Sequence, residues 1–229
     1  MKVTLSFETT ISEDVSIMVD ALRASTTITS AFNNFERVIP CSTPEEAFKL
    51  KEEFDGVIAG ERNGEKIEGF DVGNSPESVE KYETEKKTLI LTTTNGTRIL
   101  ENMNSKVLVG CLVNAKAAGE KSTEIANNHI DVVMAGVKGK FALEDFLSCG
   151  EILYWICQNL EEYEINDLAK AAIIASRDYN SLKAGFYNSR TGMRLAKLGY
   201  KKDIAYCCQK NICDNVAIYE NNELKLIKD

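Results

Sequence analysis

Short apolar, β-rich runs alternate with stretches of helical spacing along almost the whole chain, and no other feature limits the fold as tightly. Lys2–Phe7 alternates like a strand, and Val15-Ser-Ile-Met-Val-Asp20 reads as a more buried one. Glu36–Cys41, Gly56–Gly60, Thr88–Thr93, Lys106–Cys111 and Ile130–Gly136 repeat the pattern. Helical spacing follows Asp20 toward Phe32, and Thr43-Pro-Glu-Glu46 is a strong helix start, with a cap, proline at the first position and a closing glutamate. Further helices are predicted from Ser75, from Thr94–Arg98, from Asn114, from Leu143 to Leu160, over Asp167–Asp178 and over Leu182–Leu198. Strands and helices alternating at this spacing predict α/β architecture: a three-layer α/β/α domain over residues 1–229 with a largely parallel or mixed central sheet. Asp203–Cys207, Asn215–Tyr219 and Glu223–Ile227 read as short strands, the last two joined by an Asn221-Asn222 turn.

Composition narrows the partners. With 44% hydrophobic and 27% charged residues the chain is an ordinary soluble globular sequence. A net charge of −8 argues against a nucleic-acid partner, because phosphate backbones select a basic footprint. It suits a bound divalent cation and does not oppose a small anionic substrate in a locally positive pocket. Met1–Phe7 holds no apolar signal segment and no run reaches membrane-helix length, which predicts a cytoplasmic protein with no membrane partner. The seven cysteines are read as reduced thiols, and Cys207, Cys208 and Cys213 lack the paired spacing of a zinc site. A homo-oligomer is compatible with everything in the sequence.

In open α/β sheets ligands bind beyond the carboxyl ends of the strands. The residues at and just past the strand ends are Asp20 with Arg23, Ser25 and Thr26; Glu61 with Arg62; Thr92–Arg98; and Gly136–Asp145. The long connection Gly60–Pro76 carries glycines that permit close backbone approach to a ligand, and Glu61 and Asp71 within it can face a cation. Helix starts offer free N–H groups and partial positive charge to an oxyanion, and Arg23 and Arg98 can grip one in bidentate fashion. Asp20, Glu61, Asp71, Glu144 and Asp145 are hard oxygen ligands of the kind magnesium takes. Carboxylates and anion binders at one rim conflict unless a metal bridges them, which makes metal-assisted phosphoryl transfer the economical reading.

Blander readings stand beside this one. Capping alone would explain any one of Ser25, Thr26, Thr94 and Asn95. Asp20 and Arg23 can be a structural pair, and Glu144-Asp145 can serve only a helix dipole. Arg190 and Arg194 fit a solvated helical face, with Arg190 a minor ligand contact, and His129 reads as exposed. A lone histidine argues against a His-ligated two-metal site and against phosphohistidine chemistry, and no cysteine has an arginine six positions on. A G-x-x-x-x-G-K-[ST] loop and an Asp-x-Asp motif after Asp20 are also missing. Water and Asp20 itself both remain open as the nucleophile.

These residues resemble the 2-phosphosulfolactate phosphatase family. The matching stretches are Val19-Asp-Ala-Leu-Arg-Ala-Ser-Thr-Thr-Ile28, Gly60-Glu-Arg with Gly69-Phe-Asp-Val-Gly-Asn-Ser-Pro76, Leu91-Thr-Thr-Thr-Asn-Gly-Thr-Arg98, and Ala135-Gly with Leu143-Glu-Asp145. The resemblance implies a magnesium-dependent acid phosphatase that converts (2R)-2-phospho-3-sulfolactate to 3-sulfolactate and phosphate, a step toward coenzyme M. On the residues themselves, Asp20, Glu61 and Asp145 are the expected catalytic groups, with Asp20, Glu61, Asp71 and Asp145 around the metal and Glu144 nearby. Substrate would be held by Arg23, Ser25, Thr26, Arg62, Asn74, Thr93, Thr94, Asn95, Arg98 and Arg190.

Overall fold

The computed structural model describes residues 1–94, 96–101 and 103–227, without the side chains of Thr97, Arg98 and Glu101. In chain order it runs β1 (Lys2–Phe7), β2 (Val15–Val19), α1 (Ala24–Ala31), β3 (Arg37–Cys41), α2 (Pro44–Phe54) and β4 (Val57–Arg62). Then come β5 (Glu65–Lys66), β6 (Val72–Gly73), α3 (Pro76–Glu80), β7 (Thr88–Thr92), α4 (Gly96–Glu101), β8 (Lys106–Val109), α5 (Ala115–Ile125) and β9 (His129–Met134). The last part holds α6 (Leu143–Gln158), β10 (Glu164–Ile165), α7 (Asp167–Ser176), α8 (Tyr179–Asn188), α9 (Arg190–Lys197), α10 (Lys201–Cys207), β11 (Ala217–Glu220) and β12 (Glu223–Leu226).

The strands form one mixed, mostly parallel sheet in the order β10-β1-β9-β2-β8-β11-β12-β3-β7-β4-β5, with β6 also on β4. One parallel block is β10-β1-β9-β2-β8, in which Val15–Val19 pairs in step with Ile130–Met134. The other is β3-β7-β4, with Arg37–Cys41 in step with Thr88–Thr92. The carboxy-terminal hairpin β11–β12 joins them by antiparallel pairing on both sides, so the blocks run in opposite formal sense. At the seam β12 meets β3 through the single pair Leu224–Val38.

Alternation along each strand builds the layers. Ile17 and Val19 of β2 face α5, α6 and α7, while Met18 faces α1 together with Val38, Leu89 and Leu91 of the second block. Thus α1, with Ile28, Ala31 and Phe32 buried, packs into an apolar cluster shared by the two blocks. On the outer face of the second block, α2 packs Ala47 and Leu50 on Ile39, Ile58 and Ile90. Helices α8, α9 and α10 close a fourth cluster over Ala21, Leu22 and Leu147. The signal at the start of α2 acts as read, with Thr43 accepting from the Glu46 N–H and Pro44 opening the helix, whereas the Asn114 side chain at the start of α5 makes no capping bond.

Three expectations are corrected. The segment read as a strand over Asp203–Cys207 is helix α10, which buries Ile204 and Cys207 against α8 and α9. The long connection after β4 is a hairpin: Asn63 (φ 59°) and Gly64 (φ 86°) turn β4 into β5, the left-handed pair that two-residue hairpins require. His129 is buried, its Nε2 2.8 Å from the Thr4 hydroxyl, and burial lowers its pKa. Thr4 in turn donates to Asp131, which is wholly inaccessible and also accepts from Ser6, Thr10 and the Ile11 N–H.

Candidate active site

The carboxyl ends of β2, β4, β7 and β9 meet at a cavity of about 130 Å³. Around it stand Asp20, Arg23, Glu61, Asn74, Thr93, Thr94 and Arg190, seven of the residues singled out in the sequence. Asn63, Gly64, Lys138, Thr191 and Arg194 add to the wall, with Leu22, Val137 and Leu195 as its apolar part. A cavity this size holds a small acid and is well below the roughly 300–1,000 Å³ of drug-sized sites. A larger groove, about 1060 Å³, lies elsewhere, beside Phe32, Arg37, Lys87 and Lys225. Three of its cations, Arg37, Lys87 and Lys225, are paired with Glu36 or Glu223.

Asp20 ends β2 where the chain turns into α1. Its backbone N–H donates to Ser25 Oγ at 2.8 Å, its carbonyl accepts from the Ser25 N–H at 2.9 Å, and its carboxylate accepts from the Ala24 N–H. Gly96 opens α4 beside it: a Cβ there would lie 2.8 Å from the Ala24 methyl and clash with it, while meeting Asp20 Oδ2 only at contact distance, 3.5 Å. Burial, then Glu61 and Glu144, push the Asp20 carboxyl up to about 7 from the ordinary 3.8, against the pull of Ala24 and Arg23.

Glu61 ends β4. One oxygen accepts from the Thr94 N–H (2.9 Å) and hydroxyl (2.7 Å), the other from the Gly64 N–H (2.7 Å). Asp145, in the first turn of α6, accepts from the Ala21 N–H at 2.8 Å and the Gly136 N–H at 2.9 Å, tying together the ends of β2 and β9. Burial, with Glu144 and Asp20 adding, holds its carboxyl well above the usual range despite those two N–H donors. Glu144 and Asp145, each 2% exposed, stand behind the wall next to Asp20 and are not part of its lining.

Other expected site residues are elsewhere. Asp71 is corrected: both its oxygens take Lys51 Nζ at 2.7 and 2.8 Å and one takes the Ile58 N–H, away from the cavity. Arg62 is corrected too, since its guanidinium holds the Ser42 and Glu61 carbonyls and the Thr92 hydroxyl. The hydroxyls of Ser25 and Thr26 serve the β2–α1 turn, on the Met18 and Ala21 carbonyls, and do not reach the cavity. Asn95 and the Arg98 side chain lie outside the described residues. Asp203 is a neighbour of the site that the sequence does not reveal. It accepts from Arg23 Nη1 at 2.5 Å and from Ser75 Oγ at 2.7 Å, and its only sequence signal is an acid in a predicted strand.

The donor set suits a hard divalent cation. Asp20, Glu61, Glu144 and Asp145 crowd carboxyl oxygens into a water-poor region, and the Asn74 side-chain carbonyl, 4% exposed as a residue, has no hydrogen-bond partner among the described residues. Among the described residues no three carboxylate, thiol or imidazole groups form a ready-made cage, so any ion would complete its shell with water or ligand oxygens. Cationic Arg23, Lys138, Arg190 and Arg194 line the same cavity. The arrangement can bind an anion beside a metal and stabilise charge that develops on it.

Comparison with known proteins adds a family. A family model described as 2-phosphosulpholactate phosphatase matches residues 3–222. A 2-phosphosulfolactate phosphatase of Methanothermobacter thermautotrophicus is 42% identical over 229 residues, covering 100% of this chain and 97% of that one. A probable 2-phosphosulfolactate phosphatase of Clostridium acetobutylicum is 37% identical over 222 residues (95% and 94% of the two chains). Another, of Caldanaerobacter subterraneus, is 38% identical over 224 residues (93% and 90%).

Proposed function

The chain belongs to the 2-phosphosulfolactate phosphatase family, and from that premise we propose that it is a magnesium-dependent phosphatase. It hydrolyses (2R)-2-phospho-3-sulfolactate to 3-sulfolactate and phosphate, a step toward coenzyme M. One observation carries the reading: acids from the ends of β2 and β4 and cations from distant segments share one small cavity.

Asp20 and Glu61 would hold the metal, with Glu144 and Asp145 adding negative charge behind them. Bound magnesium supplies charge neutralisation, polarisation of a phosphoryl oxygen and an acidic water. The chain's own residues do the rest. Thr94 and Gly64 fix the Glu61 carboxylate by three hydrogen bonds, so it need not reorganise during turnover. Arg23 offers its guanidinium to the phosphate, since the protein contacts described use only two of its five N–H donors. Arg190, Arg194 and Lys138, all exposed, are placed for the carboxylate and sulfonate of the same substrate. The small volume of the cavity, about 130 Å³, suits a short phosphorylated acid.

The test is phosphate release from 2-phosphosulfolactate, phospholactate and phosphoglycolate with magnesium varied. The reading expects turnover fastest on the sulfonate and abolished by EDTA. Equal rates on all three esters would remove the sulfonate assignment, and full activity in EDTA would remove the metal.

A further inference from the structure

Arg23 is in an unusual position for a residue meant to bind substrate: it is 3% exposed and already paired inside the protein. Its Nη1 donates to Asp203 of α10 at 2.5 Å, its Nη2 donates to the Gly64 carbonyl at 2.7 Å, and the Tyr200 ring lies 4.6 Å from its guanidinium carbon. A buried ion pair is weak evidence of stability, because desolvating both charges costs about what their attraction returns. What this pair does is fix a planar donor fork at the wall of the cavity.

Two further contacts give the pair a direction. Ser75 occupies the N-cap place of α3, yet its hydroxyl caps no backbone N–H there; it donates to the second oxygen of Asp203 at 2.7 Å. Gly64, whose carbonyl takes Arg23, donates its N–H to Glu61. Asp203, Arg23, Gly64, Glu61 and Thr94 thus form a continuous chain of hydrogen bonds from α10 to the acid at the end of β4.

We propose that Asp203 is a positioning residue for the reaction: it orients Arg23 so that the free donors of the guanidinium face an oxyanion, and through Gly64 it steadies Glu61. The proposal rests on the reading that the cavity takes a phosphorylated acid, and it adds a residue from the carboxy-terminal helices to that site. Asp203 does not line the cavity and touches no ligand.

A double-mutant cycle of Asp203→Asn and Arg23→Lys tests it, read by kcat and KM for phosphate release and by calorimetric affinity for inorganic phosphate with magnesium present. In the wild-type background Asp203→Asn should lower kcat/KM by about 10- to 100-fold, the scale for a misaligned binding group, and weaken phosphate affinity in step. In the Arg23→Lys background it should change neither, and Asp203→Glu should recover part of the loss. Ser75→Ala, which removes only the hydroxyl orienting Asp203, carries the same cycle if Asp203→Asn does not fold. Equal losses in both backgrounds, or unchanged phosphate affinity in the single variants, would overturn the proposal. Absence of phosphate release by the wild-type enzyme would instead remove the phosphatase reading, and the phosphate-affinity cycle would still decide the role of Asp203.

Discussion

A buried carboxyl that titrates near neutrality is a stability cost, and Asp20 shows the size of it. Its folded pKa of about 7 lies above the ordinary 3.8, so the folded chain holds the proton more tightly than the unfolded one. Stability from this group is complete below about 3.8 and is withdrawn as pH rises through about 7. Asp20→Asn keeps an acceptor for the Ala24 N–H and carries no charge. In the presence of EDTA the variant should match the wild type near pH 4 and exceed it by about 4 kcal/mol at pH 8, on the scale of 1.36 kcal/mol per pKa unit, while releasing no phosphate. Chemical denaturation across that pH range measures the gap; a gap that closes as pH rises contradicts the assignment. The exchange of stability for activity is the usual mark of a functional acid.

At the scale of elements, α6 and α7 pack so closely that a Cβ on Gly150 would lie 2.0 Å from the Ala172 carbonyl oxygen. Alanine in a helix interior normally gains up to about 1 kcal/mol over glycine. Here the clash involves backbone, which cannot swing away, and overpacking of about 1–3 kcal/mol outweighs the gain. Gly150→Ala should therefore lower the melting temperature, and a rise would show that the two helices separate at no cost. The elements legible in the sequence are those with local signals: the Thr43-Pro44 start of α2, the apolar strands, and the Asn221-Asn222 turn between β11 and β12. Elements decided by distant packing are not. Ile204-Ala-Tyr-Cys207 has strand-like composition, but the surface it covers is formed by α8 and α9. His129 looks exposed after two asparagines because its partner, Thr4, lies 125 positions away. Asp71 reads as a ligand because nothing local shows that Lys51, 20 positions earlier, already holds it. Strand ends locate Asp20, Glu61 and Thr94 correctly at one rim, yet they carry no sign of Asp203, which arrives there from α10.

At the scale of the molecule, the two parallel blocks run in opposite formal sense, yet β2 and β9 from one and β4 and β7 from the other deliver their ends to one cavity. The apolar cluster around α1, shared by residues of both blocks, holds them together. Asp20 belongs to the first block and Glu61 to the second, and a single cation between them would join both halves at the site. The most direct measurement is anomalous scattering from crystals grown with manganese in place of magnesium. The account predicts one strong peak within about 2.0–2.3 Å of both an Asp20 and a Glu61 oxygen, lost in Glu61→Gln crystals. A peak at Asp71, or none in the cavity at saturating manganese, would contradict it.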